Sequence, residues 1–237
     1  MWDMRNGFNL RVGAGFHPRP QWNPIAGRHG GLPLQLIVLL FLESVLFAVV
    51  SSDDAFFPWA AGTAWVYDTL DKTNSEHFEM KVVMQGPWKE GESSGMIMAQ
   101  KDKRGTMREF QLKNENGIFI QKLGLSKAYT PEVTTRFTPP VPRVIFPLVP
   151  GTKVHWQGQL KVAWVNKPII FDGEVLGWED ISVPAGKFHC IKLHYHEKRG
   201  DDIIDEDAWY AEGVGQVKYD GGQYVKELKS YKIGSAP

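Results

Sequence analysis

Apolar and polar residues alternate in short runs over most of this chain, and clusters of Gly, Asn, Asp and Pro separate the runs. In one run, Phe78, Met80 and Val82 alternate with Glu79 and Lys81. Because successive side chains of a strand point to opposite faces, a period of two is typical of strands with one buried face. The pattern predicts an all-β domain, an antiparallel meander of about eleven strands.

Two segments near the middle of the chain give opposite signals. Asn116 and Gly117 tolerate the positive φ angles of tight turns, so they predict a hairpin that joins 107–113 to 118–123. Residues 124–152 are rich in proline, which lacks an N–H and fixes φ. We therefore expect a long crossing loop there, without regular strand pairing.

One short motif occurs twice at the same spacing. Phe-Pro followed by Gly-Thr appears at residues 57–63 and again at residues 146–152, and each copy leads to an aromatic residue, Tyr67 or Trp156. Proline ends pairing upstream, glycine permits a turn, and the aromatic side chain anchors the new strand in the core. The repeat indicates either a duplication or two independent solutions for starting a strand.

Residues 1–52 have the composition of a basic leader and a signal or anchor segment. The first 33 residues carry four arginines and one acid, residues 34–50 are largely apolar, and Ser51 and Ser52 offer a cleavage site. The apolar segment is only about 17 residues long, which is short for a membrane-spanning helix, and Glu43 places a charge within it. Both features disfavour a retained anchor. We expect a cleaved signal and an exported single domain at 53–237, in the periplasm or secreted, with an inner-membrane anchor and a buried helix as alternatives.

The overall charge excludes some classes of partner. The chain has 27 Lys and Arg against 27 Asp and Glu, which leaves no basic patch for nucleic acid. We expect membrane contact only through the N-terminal segment. Cys190 is the only cysteine, so no intramolecular disulfide can form and the domain must be stabilised by packing.

A five-residue segment, Gly91–Gly95, matches the G-x-S-x-G pattern of hydrolase nucleophiles. That motif requires a buried strand before it and a helix after it. Here a β-like run follows, so we interpret the segment as a polar hairpin tip and predict no catalytic residue.

Two clusters could hold a metal ion. His194 and His196 lie two residues apart, and acidic residues crowd the segment 201–207. Imidazole suits zinc and carboxylates suit calcium, but the spacing matches neither a zinc site nor an EF-hand loop. We expect no cofactor, and we keep His194 and His196 as weak metal candidates on a solvated strand face opposite Ile191, Leu193 and Tyr195.

Aromatic residues make up 12% of the chain, and in a meander they fill either a core or an apolar groove. The groove interpretation predicts a lipid-like ligand. Its lining residues would be the following aromatic side chains: Trp65, Tyr67, Trp156, Trp164 and Tyr195.

Three segments resemble exported bacterial domains of unknown function. They are residues 57–67, Val183–Cys190 and Trp209–Lys218. Such domains resemble the half-barrel fold of the lipoprotein-localisation factors. The resemblance implies a curved antiparallel sheet wrapped around an apolar interior, and it implies no substrate.

Taken together, the sequence favours an exported, non-enzymatic β domain whose concave face binds an apolar ligand or an envelope partner. Two alternatives stay open. One is a hydrolytic or metal-dependent enzyme that uses His194, His196 and the acidic segment 201–207. The other is a structural protein of the cell envelope.

Overall fold

The computed structural model describes residues 53–127 and 130–235, and the predicted signal or anchor at 34–50 lies outside them. A 3-10 helix, Asp53–Phe56, precedes twelve strands. The strands are β1 (Ala64–Asp71), β2 (Glu76–Glu90), β3 (Ser93–Asp102), β4 (Gly105–Asn114), β5 (Gly117–Ser126), β6 (Val133–Ile145), β7 (Lys153–Val162), β8 (Val165–Val183), β9 (Gly186–Arg199), β10 (Asp202–Ala211), β11 (Gly215–Gly221) and β12 (Tyr224–Lys232). The predicted hairpin at Asn116 and Gly117 is the turn between β4 and β5.

The strands follow one another around a closed antiparallel barrel, in which β12 returns to pair with β1. This last pairing runs from Ala64 opposite Lys232 to Asp71 opposite Tyr224. The prediction of an all-β antiparallel meander is confirmed. The sheet has twelve strands, one more than expected, and it closes further than a half-barrel, because pairing β1 with β12 leaves neither as an exposed sheet edge.

The additional strand is β6. The expectation of a crossing loop at 124–152 is therefore wrong for Val133–Ile145. Pro139, Pro140 and Pro142 lie within β6. The ladder tolerates them because pairing with β7 ends at Thr138, immediately before them. Pairing with β5 shifts register between Ile120 and Lys122, opposite Pro139 and Pro140, and again beside Phe119, which pairs with Pro142. Proline is found in sheets at such edges and bulges, where no N–H is required.

The repeated motif forms the same structure in both halves of the barrel. Gly62 N–H donates to the Met84 carbonyl at 2.8 Å, and Gly151 N–H donates to the Val175 carbonyl at 2.7 Å. Both glycines have positive φ, 82° and 90°. In each half the partner strand then shifts register, between Met84 and Gly86 or between Val175 and Gly177. The motif therefore starts β1 and β7 by one mechanism.

The two ends of the barrel differ. We call the end that carries the turns after the odd-numbered strands the open end; its turns include residues 72–75, 103–104, 163–164, 200–201 and 222–223. We call the opposite end, with the 3-10 helix and the turns after the even-numbered strands, the plugged end. There Phe56, Phe57, Leu148 and Val214 are all buried. Within the described residues, no helix is long and apolar enough to cross a membrane.

Candidate functional site

The interior of the barrel contains a cavity of about 630 Å³ that reaches the open end. Cavities that hold small molecules in proteins have volumes of about 300–1,000 Å³. One wall of this cavity, on β4–β6, is largely apolar. Its apolar side chains are Met107, Ile120, Leu123, Leu125, Phe137 and Val141.

The facing wall, on β9–β12, carries charged side chains into the same cavity. Its charged residues are Glu197, Arg199, Glu206 and Lys226. Glu109 on β4 and Arg143 on β6 join them towards the inner end of the cavity. The interior therefore has one apolar side and one charged side. The resemblance implies an apolar interior, and this holds for only one of the two sides.

The interior acids have partners within the protein. Glu109 accepts hydrogen bonds from the side-chain amides of Gln100 at 2.6 Å and Gln111 at 2.7 Å. Glu206 accepts a hydrogen bond from the Tyr219 hydroxyl at 2.6 Å. Glu197 forms an ion pair with Arg199. Because buried carboxylates are costly unless paired, these contacts explain how the barrel retains them.

The two innermost cations are less well paired. Arg143 lies 3.4 Å from a Glu109 carboxylate oxygen, and its Nε has no hydrogen-bond partner. Lys226 is 8% exposed, and its ammonium lies 4.3 Å from the centre of the Tyr219 ring. Burial, and secondly the nearby Arg143, lower the pKa of Lys226 to about 8. Both cations also border a void of about 20 Å³ next to Trp65 and Tyr67, which places them where the cavity meets the plugged end.

The buried tyrosines are structural hydrogen-bond partners. The Tyr67 hydroxyl donates to the Gln216 carbonyl at 2.8 Å, and the Tyr195 hydroxyl donates to the Arg143 carbonyl at 3.1 Å. Burial raises the pKa of Tyr67 and of Tyr195 above the usual value, and the neighbouring Tyr210 raises both further. Both hydroxyls therefore stay protonated at neutral pH.

The structure places the five predicted lining residues differently. Tyr195 lines the large cavity, and Trp65 and Tyr67 line the small void beside it. Trp156 points inward against Gly158, where its ring occupies the space that a Cβ would fill. Trp164 lies in the turn after β7 and is 91% exposed, so it does not line the interior. The turn position explains this, because strand alternation ends at Val162.

The metal candidates pair with aspartates on the outer surface, and Asp205 lies near both histidines, 3.8 Å from His194 Nε2. His194 Nδ1 lies 2.7 Å from Asp207, and His196 Nδ1 lies 2.7 Å from Asp205. These pairs link β9 to β10, with the histidines on the solvated face opposite Leu193, as predicted. Among residues 53–127 and 130–235, no group of three or more His, Cys, Asp or Glu side chains is positioned to bind a metal.

The acidic segment 201–207 is a turn and the beginning of β10. Asp205 and Asp207 pair outward with histidines, while Glu206 between them faces the cavity. In the G-x-S-x-G segment, Gly91 and Glu92 form the turn between β2 and β3, and residues 93–95 begin β3. The G-x-S-x-G segment therefore lacks the helix that a hydrolase nucleophile requires after it.

Sequence reasoning missed the charged side of the cavity, although the alternation contained a signal for it. Glu197 shares the inward face of β9 with Leu193 and Tyr195. Lys226 shares the inward face of β12 with Leu228. A charged residue at an inward position in a strand pattern is unusual, because charged side chains are seldom buried without a partner. Such positions identify candidate functional residues before a structure is known.

The fold and the site define a closed antiparallel β-barrel that encloses a partly charged cavity. Residues 160–233 match the DUF3108-like family. This match includes Val183–Cys190 and Trp209–Lys218, so the resemblance to domains of unknown function is confirmed for two of its three segments. No curated protein matches the chain.

Two solved structures are similar to this chain. One is a provisionally assigned lipoprotein from Parabacteroides distasonis, with 16% identity, a TM-score of 0.46, and coverage of 75% of this chain and 98% of that one. The other is a provisionally assigned exported protein with a YmcC-like fold from Bacteroides fragilis, with 15% identity, a TM-score of 0.44 and the same coverage.

Proposed function

We propose that this protein is an exported, non-enzymatic binding protein that holds an amphipathic, lipid-like molecule inside its barrel. The observation that carries the proposal is the cavity of about 630 Å³, with an apolar wall on β4–β6 and a charged wall on β9–β12. A ligand with an apolar chain and a polar head matches both walls. Export follows from the apolar segment at 34–50 and its basic leader.

The apolar wall gives the ligand its main source of binding free energy. Transfer of a CH₂ group from water to an apolar site contributes roughly 0.8 kcal/mol. Leu123 and Phe137 lie in the middle of this wall, and Met107 and Leu125 extend it to the open end. A chain of several methylene groups along this wall would therefore bind measurably without any polar contact.

Binding of an uncharged apolar fluorophore to the purified protein tests this proposal. Leu123→Trp fills part of the cavity, and we expect it to weaken binding by about tenfold or more, since steric exclusion removes the apolar contact surface. Ile203→Trp is the matched control, because Ile203 is 60% exposed on β10. Native mass spectrometry of the protein from its own cells should show a bound lipid-like molecule.

Failure of the wild-type protein to bind any apolar probe would contradict the proposal. So would equal binding by Leu123→Trp and the wild-type protein. A cavity that is always empty would instead favour the alternative of a structural envelope protein.

A further inference from the structure

The inner end of the cavity has charged hydrogen-bond donors without partners. Within the described residues, the Lys226 ammonium has no hydrogen-bond or ion-pair partner, and it can donate three hydrogen bonds. Arg143 has one ion pair at 3.4 Å for a guanidinium that carries five N–H groups. Thr69, opposite Lys226 in the β1–β12 register, also has a buried hydroxyl without a partner.

Most acceptors near these cations already take hydrogen bonds from other groups, and the exception is the buried amide oxygen of Gln111, which has no partner. Both carboxylate oxygens of Glu109 accept hydrogen bonds from glutamine amides. One oxygen of Glu206 accepts from Tyr219, and Glu206 lies beyond ion-pair distance of Lys226. Tyr67 and Tyr195 donate their hydroxyl protons to backbone carbonyls rather than accept from Lys226 or Arg143. The protein alone therefore does not satisfy the donors of Arg143 and Lys226.

We propose that Arg143 and Lys226 bind the anionic head of the ligand, a carboxylate or a phosphate, at the inner end of the cavity. The tail then lies along the β4–β6 wall and ends near Leu125 at the open end. This inference rests on the proposed function and adds to it the charge and the orientation of the ligand. Both anions supply several acceptor oxygens, which matches the unpaired donors of Arg143 and Lys226.

The positions of these residues support the orientation. Arg143 and Lys226 border both the cavity and the small void at the plugged end, whereas Leu125, Met107 and Lys127 line the cavity close to the open end. A head that remained at the open end would leave the two inner cations buried beside the apolar tail. Buried charged groups whose donors lack partners are costly, so the reverse orientation is disfavoured.

A cationic head would not satisfy the same site. It would face Arg143 and Lys226 directly, and the carboxylates that could attract it already hold Gln100, Gln111 and Tyr219. A neutral alcohol head would supply one acceptor oxygen for donors on two charged groups. The structure therefore predicts an order of affinity in which an anionic head binds best and an amine binds worst.

Displacement of an uncharged fluorophore by hexadecanoate, hexadecyl phosphate, hexadecanol and hexadecylamine tests the inference on the wild-type protein. The four ligands have the same chain and differ in the head. We expect at least one anion to bind about tenfold or more tighter than the alcohol, because hydrogen bonds to charged groups are strong when buried. The better anion distinguishes a carboxylate from a phosphate.

Lys226→Met provides the second test, and Lys229→Met is its matched control on the same strand, since Lys229 is exposed and pairs with Glu79. We expect Lys226→Met to lose about tenfold in affinity for the preferred anion and to lose much less for hexadecanol, because the alcohol carries no charge. Lys229→Met should change neither. Circular dichroism and thermal unfolding establish that both variants are folded.

The outcomes separate this inference from the proposed function. Equal affinity for anion and alcohol, or the same anion affinity in Lys226→Met, would overturn the anionic-head site and leave the lipid-binding barrel intact. Binding of none of the four ligands would overturn both. If Lys226→Met did not fold, the order of affinity in the wild-type protein would still decide the question.

Discussion

The plugged end and the open end of this barrel are built from the same strands, but the plugged end is packed with apolar side chains and the open end leads into a partly charged cavity. At the plugged end, the 3-10 helix lies against the β10–β11 turn, where Gly213 N–H donates to the Ala55 carbonyl at 2.8 Å. The Trp65 indole N–H donates to the Val214 carbonyl at 2.6 Å. Between the plugged end and the open end, inward-facing positions of the strands carry Glu197, Glu206 and Lys226 around the cavity.

This difference shows that the same strands enclose apolar side chains at one end and charged side chains next to it. The plugged end demonstrates that the strands can close over apolar residues with satisfied polar groups. Buried charges are usually neutral or unfavourable for stability compared with apolar residues of similar size. We therefore attribute their presence around the cavity to the proposed ligand.

The largest effect is expected from opening the plugged end. Phe57 is 5% exposed and its ring lies 6.4 Å from that of Tyr210. We expect Phe57→Ala to lower the free energy of unfolding by about 3–5 kcal/mol, since it removes buried surface and leaves a cavity. Denaturant unfolding measures this loss, and a loss of less than about 1 kcal/mol would contradict the packed character of this end.

A smaller effect is expected from the charge of Lys226. Its pKa is lowered from 10.5 to about 8, so between these values the unfolded chain binds more protons than the folded protein. The contribution of Lys226 to stability therefore rises as pH increases from about 8 to 10.5, by about 3 kcal/mol at most. Arg143, Glu109, Glu206 and Tyr219 face the same ammonium, so a variant that lacks only Lys226 is needed as the reference.

Lys226→Met is that reference. We expect it to be more stable than the wild-type protein at pH 7, and the difference to shrink as the pH rises towards 10.5. Unfolding curves of both proteins across this pH range measure the difference. A difference that stays constant with pH would show that Lys226 keeps an ordinary pKa in the folded protein.

Thiol labelling compares the accessibility of the two ends. Cys190 lies near the plugged end, pairs with Ala211 in register and is fully buried. Burial, with Asp180 and Glu179, raises the pKa of its thiol to about 12. We expect Cys190 to react with a maleimide at least about tenfold more slowly than a cysteine introduced by Leu125→Cys in a Cys190→Ala background. Equal rates would contradict the closure of the plugged end.

The smallest effect is expected at the turn after β7. Trp164 is 91% exposed and contributes to neither end of the interior. Trp164→Ala should change the free energy of unfolding by less than about 0.5 kcal/mol. Binding of the uncharged fluorophore should also be unchanged. A clear loss in either measurement would show that Trp164 belongs to the binding site after all.

The alternation of apolar and polar residues was sufficient to predict the class of fold. It also placed His194 and His196 on the solvated face of their strand, opposite Leu193. It could not predict closure, because the pairing of β1 with β12 joins the two ends of the sheet and has no local signal. The prolines of β6 were misleading for a similar reason, since a partner strand that ends at Thr138 is not visible in the sequence.

The candidate site was harder to predict than the fold. Aromatic content identified Tyr195 as a lining residue, but the same criterion selected the exposed Trp164. The informative residues were the charged ones at inward positions, such as Lys226 and Glu206. Whether such a residue can bind a ligand depends on whether its polar atoms already have partners within the barrel. Those partners come from strands far apart in the sequence, so the sequence alone does not reveal them.

The most direct test of the central claim is a crystal structure of the protein with hexadecanoate, or with hexadecyl phosphate if that ligand binds more tightly. We predict that the head lies within hydrogen-bond distance of Lys226 Nζ and the Arg143 guanidinium, with the chain along Leu123 and Phe137 towards the open end. A ligand outside the barrel would contradict the account, and so would a ligand with its head at the open end and its chain beside Lys226.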